Sequence, residues 1–335
     1  NFGYIRDGVN SGVWGQWFTQ TPNCQNITRE DFDTYMKTPI VNWITSHPEK
    51  DIRHIVMVYM PARIDPPGGN GSVAYALNLA MRTTGIHPGG GNAFPPVIIE
   101  DGHVGNGYFT RQEYPGTMAL VTDLWVGSVP ATKAYVDKLK SVYNSMPVKS
   151  IVISGAASGR AGTSYYFEDT NSIGPNNAPF NGNLHRDAVH KINPSAPITV
   201  TGHGEPFITT ASDVSGYFSW GTNGGHTWPY ANDGSVVFTG KSSWYPIMTY
   251  ESYNGQWDSH QGDFTDWFSA NAFGGTNYSN TPAAAVSHVD EPSGVGVNSD
   301  LYFQCWEKGH LFIDCAYISM RTAFFMPHGD PWVTK

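Results

Sequence analysis

Ser252 is the residue of this chain whose setting most invites chemistry. The stretch WYPIMTYESYNGQ, residues 244–256, carries a mostly apolar run from Tyr245 to Tyr250, then breaks into a polar turn through Glu251, Ser252 and Tyr253 to Asn254-Gly255. A buried strand that delivers a hydroxyl to its carboxyl end is how open α/β sheets place reactive groups, because ligands bind beyond those ends. Such a serine becomes a nucleophile when a base takes its proton and a carboxylate orients the base. Its flanks here are Glu251 and Tyr253, so the G-x-S-x-G elbow is absent. A serine in a turn also bonds local backbone with no further role.

Three histidines are candidate bases for Ser252: His203, His226 and His288. His203 lies between Gly202 and Gly204 after a predicted strand, where a ligand can approach the backbone closely. Glu251, Asp263 or Glu291 would orient the ring. His185 and His190 are five apart, which sets their rings about 140° apart on a helix and fails the i, i+4 spacing of a helical zinc pair. No zinc pattern is present elsewhere; the Asp/Asn-rich loops admit calcium without forming an EF-hand. Asp290 and Glu291 form a carboxylate pair, and with exposed tryptophans they offer a carbohydrate reading, although adjacent carboxylates usually face apart.

Composition narrows the partners. The chain has 335 residues, with 19 Lys and Arg against 28 Asp and Glu, so no basic stripe exists to neutralise nucleic-acid phosphates or anionic lipid. No run reaches the roughly 20 apolar residues of a membrane span. A surface rich in Gly, Asn, Ser, Thr, Trp and Tyr suits hydrogen bonding and stacking on sugars or another protein. Cys24, Cys305 and Cys315 cannot all pair within the chain; Cys305 and Cys315 either pair or remain buried thiols. The chain starts at Asn1, so a signal peptide is either removed or not included.

The elements that must position these groups follow from periodicity. Thr28 reads as an N-cap for a helix over 28–46, bent near Pro39. Residues 52–60 read as an interior parallel strand, 72–82 as a helix, and 85–115 as a long excursion with one short strand at 97–100. Residues 118–126, a helix from Ser128 to 144, and 148–154 form a β-α-β unit. Residues 155–183 read as an irregular insertion. A helix near 184–192 precedes the strand 198–201. Strands follow at 214–220, 235–239, 245–250 and 283–289, with helices at 263–272, 298–308 and 311–322. Strands alternating with helices give the α/β class.

The order of SGYFSWGT at 215–222, WYPIMTYESYNGQ at 244–256, HVDEP at 288–292 and HGDPW at 328–332 resembles the catalytic half of gingipain-like cysteine peptidases, which have a caspase-like fold. With ITREDFDTYMKTPIVNW, IRHIVMVYMPARI and ALVTDLWVGS, the chain is also similar to a family of bacterial secreted proteins associated with the exosortase sorting system. The resemblance implies a mostly parallel, caspase- or gingipain-like sheet flanked by helices; composition and periodicity give an irregular segment over 1–27 and one α/β domain over 28–335 with Gly/Asn/Pro-rich loop insertions near 85–115 and 155–183. The resemblance also implies a catalytic His at the position of Trp220 and a nucleophilic Cys at the position of Ser252. Tryptophan accepts no proton, so the peptidase chemistry is not expected.

The expected function is therefore binding or assembly at the bacterial envelope, by a secreted or cell-surface protein with a protein, glycan or self-association partner. Two alternatives remain: a serine hydrolase using Ser252, His203 and Glu251, and a carbohydrate-binding or carbohydrate-active protein.

Overall fold

A computed structural model of the chain describes residues 26–50, 52, 54–65, 71–81, 96–98, 104–106, 119–143, 162–168, 182–201, 208–219, 236–249, 251–256, 262–291 and 297–335. Thr28 caps the first helix, its Oγ1 accepting the Asp31 N–H at 3.1 Å. That helix, α1, runs from 29 to 46 and is π-helical over Phe32–Lys37 before returning to α-helix at Thr38–Ser46. The wide turn comes just ahead of Pro39, whose ring would otherwise meet the carbonyl one turn back.

Strands β1 (Asn26–Ile27), β3 (Arg63–Ile64) and β4 (Gly71–Ser72) form a small sheet. Backbone strands β5 (Pro96–Ile98) and β6 (Val104–Asn106) make an antiparallel hairpin, and β10 (Thr210–Ser212) pairs with β12 (Val237–Thr239). The main sheet has eight strands. They are β2 (His54–Met57), β7 (Leu120–Asp123), β15 (Phe325–Gly329), β14 (Ala284–His288), β13 (Pro246–Thr249), β11 (Val214–Ser219), β8 (Ser164–Glu168) and β9 (Ile198–Thr201), in that spatial order.

Every ladder in this sheet is parallel except the one between β14 and β15. The sheet is thus two parallel blocks of opposite direction: β2, β7 and β15 run one way, the other five run back. The carboxyl ends of β11, β13 and β14 consequently share one edge, with Ser219 opposite Thr249. This bears out the expected mixed α/β architecture, a large and mostly parallel sheet flanked by helices.

Helices α2 (Val73–Ala80), α3 (Val129–Tyr143), α4 (Gly182–His190), α5 (Phe264–Trp267), α6 (Ser299–Glu307) and α7 (Phe312–Ser319) complete the framework. Phe32, Met36, Val73 and Leu77 of α1 and α2 join Val121 and Met326 of the sheet in one apolar cluster. A larger cluster holds Tyr245, Ile247, Phe264, Trp306 and Phe312. Each such side chain contributes about 1.5–3 kcal/mol by burial, which pins the strand faces and therefore the edge where the loops emerge.

Two sequence expectations are corrected. Strand β2 is shorter than 52–60 and stands at the end of the strand order among the described residues, with Val56 and Val58 exposed. Its apolar run reads as interior only because both faces carry apolar residues. Residues 155–183 do not form an irregular insertion throughout: β8 crosses the sheet inside that span, burying Tyr165 and Phe167 while Tyr166 stays half-buried. No expectation covered residues 325–329, which carry Pro327 and Gly329 and form the antiparallel strand β15. The expected strand at 148–154, and with it the β-α-β unit, lies outside the described residues, as do residues 1–25.

Candidate functional site

β13 is fully buried and ends at Thr249, where the polar turn is locked to the exit of β14. The side chain of Asn254 does most of this: its Oδ1 accepts the His288 N–H at 2.7 Å and its Nδ2 donates to Thr249 Oγ1 at 2.9 Å. The Gly255 N–H donates to the His288 carbonyl at 2.8 Å, and the Asn254 carbonyl accepts the Phe264 N–H at 2.8 Å. Gln256 reaches the Val289 carbonyl. Tyr253 takes a positive φ of 62° in this turn, a conformation a non-glycine residue adopts only when its surroundings dictate it.

Glu251 is buried and anchored at both oxygens. Oε2 accepts the Thr249 hydroxyl, and Oε1 accepts the Gly262 N–H at 2.7 Å. These contacts hold the strand end against the start of α5, which is itself capped by Asp263, whose Oδ1 accepts the Thr265 N–H at 2.8 Å. Asp263 is therefore a helix cap. Neither carboxylate is hydrogen-bonded to His288.

His288 ends β14 and is buried. A carbonyl only accepts, so the 3.1 Å contact with the Glu251 carbonyl fixes Nδ1 as the N–H. Nε2 then accepts the Val297 N–H at 3.3 Å, which leaves no lone pair for a serine proton. Burial holds the ring down at a pKa of about 4, outweighing the carbonyl and the Glu291 charge that favour its protonation. His288 is a neutral structural clamp.

Ser252 is almost fully buried, and its Oγ donates to Glu291 Oε2 at 2.6 Å. The neighbouring Asp290 turns elsewhere: Oδ2 accepts from Arg63 Nη1 at 2.9 Å, while Arg63 Nη2 lies 3.4 Å from Asp65 Oδ1. Burial, and then the hydrogen bond to Asp290, hold the Tyr253 phenol above its ordinary value. Asp290 and Glu291 thus diverge toward different partners, which does not suit a pair flanking one glycosidic bond.

Of the residues singled out in the sequence, Ser252, Glu251, His288 and Glu291 are brought together at one sheet edge. His203, His226 and Trp220 lie outside the described residues. Among the described residues no group of three or more His, Cys, Asp or Glu side chains could hold a metal ion, and no helix is long and apolar enough to cross a membrane. Cys305 and Cys315 are buried free thiols, and Cys24 lies outside the described residues.

Sequence reasoning missed Arg63, which arrives from the small sheet, and it missed a second polar constellation inside the core. There Ser287 Oγ lies 2.7 Å from His328 Nε2, and His328 Nδ1 lies 4.0 Å from Asp123 Oδ2. The available signal was a polar residue inside each of three apolar strands: Asp123 in ALVTD, Ser287 in AAVSH and His328 in FMPHG. Comparison of the chain with protein-family models, with curated proteins and with solved structures gives no match, so function rests on the geometry above.

Proposed function

We propose that this is a secreted or cell-surface α/β protein of the bacterial envelope that binds a protein or glycan partner, or further copies of itself, and does not act as a peptidase. The observation that carries this reading is how the polar groups at the carboxyl edge are spent on one another. The Ser252 hydroxyl donates its hydrogen bond to Glu291, Asp290 holds Arg63, and both nitrogens of His288 serve backbone groups. β11 and β13 pair side by side, which suits a relationship to gingipain-like enzymes, where the two catalytic positions follow neighbouring strands. Here those positions carry Trp220 and Ser252, and an indole cannot serve as a base.

One observation favours a second reading. A carboxylate 2.6 Å from a serine hydroxyl is within reach to accept its proton, so Ser252 and Glu291 together offer a serine hydrolase without histidine.

Labelling with a fluorophosphonate probe, with the adduct located by mass spectrometry, separates the two. Absence of any adduct on Ser252 supports the binding reading; an adduct that disappears in Ser252→Ala establishes the hydrolase instead. Sedimentation and pull-down on envelope glycan then test binding itself. A monodisperse monomer with no affinity for glycan or envelope material overturns it.

A further inference from the structure

In the strand order β7 and its neighbour β2 meet the rest of the sheet through β15, yet the parallel ladder between β7 and β15 has a single residue pair, Asp123 opposite His328. The Leu124 N–H donates to the Met57 carbonyl on β2 at 2.8 Å, so the alternate residues Val121 and Asp123 turn their peptide groups toward β15. The groups of Val121 do not reach it. The Tyr317 hydroxyl fills the gap, accepting the Val121 N–H at 3.1 Å and donating to the Val121 carbonyl at 3.0 Å. The seam is held by side chains where a ladder would normally run.

Within it, Asp123 and His328 are both buried, and Asp123 Oδ2 and His328 Nδ1 have no hydrogen-bond partner at 4.0 Å from each other. The other side of each group is assigned. Asp123 Oδ1 accepts the Trp125 N–H at 2.9 Å. Ser287 Oγ contacts the Met326 carbonyl at 3.2 Å and His328 Nε2 at 2.7 Å. A serine has one proton, and the carbonyl can only accept. Both contacts are satisfied together only if that proton goes to Met326 and Nε2–H donates to Ser287. His328 Nδ1 then presents a lone pair to Asp123 Oδ2. Two facing acceptors in a dry interior are a double desolvation penalty; a proton on one of them sets a donor opposite an acceptor and lessens it.

We propose that Asp123 is a carboxylic acid in the folded protein and that its proton, directed at His328 Nδ1, helps to join β7, and with it β2, to β15 and the rest of the sheet. The groups that contact His328 are neutral: Ser287 from β14 and the Phe264 ring, stacked on it with centroids 3.9 Å apart, while the Tyr317 hydroxyl from α7 bonds Val121, two residues before Asp123. Tyr135 of α3 bonds the Asp330 N–H and the Ala283 carbonyl beside it, and burial raises its phenol well above the ordinary value. The charged residues on the elements around the pair are Asp330 after β15, Asp290 and Glu291 after β14, Asp263 and Asp266 at α5, Asp314 in α7, and Lys133, Asp137, Lys138 and Lys140 in α3; none of them contributes to the shift of Asp123 or His328. Burial pushes the Asp123 carboxyl well above the usual carboxylate range against the opposing Trp125 N–H, with no charged neighbour contributing.

A carboxyl whose folded-state pKa is raised gives stability that is complete below its unfolded value, about 3.9, and is lost as pH rises toward the folded value. Asp123→Asn keeps an acceptor for Trp125 and a donor for His328 at every pH. Over the interval above about pH 4, the unfolding equilibrium constant of the natural protein relative to that variant is expected to rise about tenfold per pH unit until Asp123 ionises. The natural protein is read directly as well. Infrared difference spectra against Asp123→Asn at neutral pH should show a protonated carboxyl, and nitrogen NMR should show His328 protonated at Nε2 alone. Parallel pH curves for the two proteins, a carboxylate band from Asp123, or an Nδ1-protonated His328 overturns the proposal. Should the variant fail to fold, the two spectra of the natural protein decide the matter.

Discussion

Gly255 packs directly on Ser287: a Cβ built at position 255 would stand 2.6 Å from the serine Oγ and 3.1 Å from the His288 carbonyl. The turn that carries Ser252 is therefore seated on the same serine that binds His328 in the core. Gly255→Ala must push the turn off β14 or displace Ser287, at about 1–3 kcal/mol. Denaturant unfolding measures that loss, and Ser287→Ala in the same chain should recover only part of it, because the carbonyl contact remains. Full stability of Gly255→Ala alone would mean the turn is not seated as described.

His288 gives the next expectation, through pH. Burial holds His288 at about 4, and His185 and His328 at about 3, against an ordinary value of 6.5. As pH falls below about 6.5 the unfolded chain takes up these protons and the folded chain does not, so stability falls until the folded values are reached. Asp300 and Asp314 act in the opposite sense: burial raises them to about 7 and about 6. Their contribution is complete below about pH 3.9 and is lost as pH rises through those values. The opposing slopes largely cancel in the natural protein, so single variants are needed to see them. His288→Gln should cost stability at pH 7, with the difference from the natural protein shrinking by on the order of 3 kcal/mol between pH 7 and pH 4. A pH-independent difference would show that His288 is not buried neutral.

Much of this framework is legible in the sequence because its signals are local. Thr28, Ser72, Ser128, Asp263 and Asn298 each precede an apolar-periodic run, and each side chain accepts a hydrogen bond from the backbone of the helix that follows. The strands 198–201, 246–249 and 284–288 likewise stand out as short apolar runs before polar turns. What escapes reading is set by partners far along the chain. β15 carries a proline and a glycine and is a strand only because β14 pairs with it; Pro327 lies opposite Val286. β8 is hidden in a Gly- and Asn-rich span, where two buried aromatics are too few to outweigh their surroundings. The site divides in the same way. Ser252 is visible from its turn, whereas its bond to Glu291 spans 39 residues and that of Arg63 to Asp290 spans 227.

Arg63 is the one cation hydrogen-bonded to Asp290 among the described contacts, and it also lies near Asp65. Replacing it by Met leaves Asp290 partly buried without its counter-charge, at a cost on the order of 2 kcal/mol. The double variant with Asp290→Asn should recover most of that loss, since the two side chains act as a unit. The Tyr253 phenol supplies an independent readout. Arg63 lowers its pKa while Asp290 and Glu291 raise it, so the phenol should titrate higher in Arg63→Met, followed by ultraviolet absorbance. An unchanged titration would separate Arg63 from this cluster.

Tyr317 bears on the seam without touching the Asp123 proton. Its hydroxyl is the partner of both peptide groups of Val121. Tyr317→Phe retains the ring against Phe325 but strands a buried N–H and a buried carbonyl together. Each unpaired group costs about 1–3 kcal/mol, so the variant should lose stability well beyond that of a single surface hydrogen bond. Exchange of the Val121 amide should quicken before exchange in β13 and β14, because the opening is confined to the join between β7 and β15. If Val121 stays as protected as the centre of the five-strand block, a backbone ladder holds the seam and the hydroxyl is incidental.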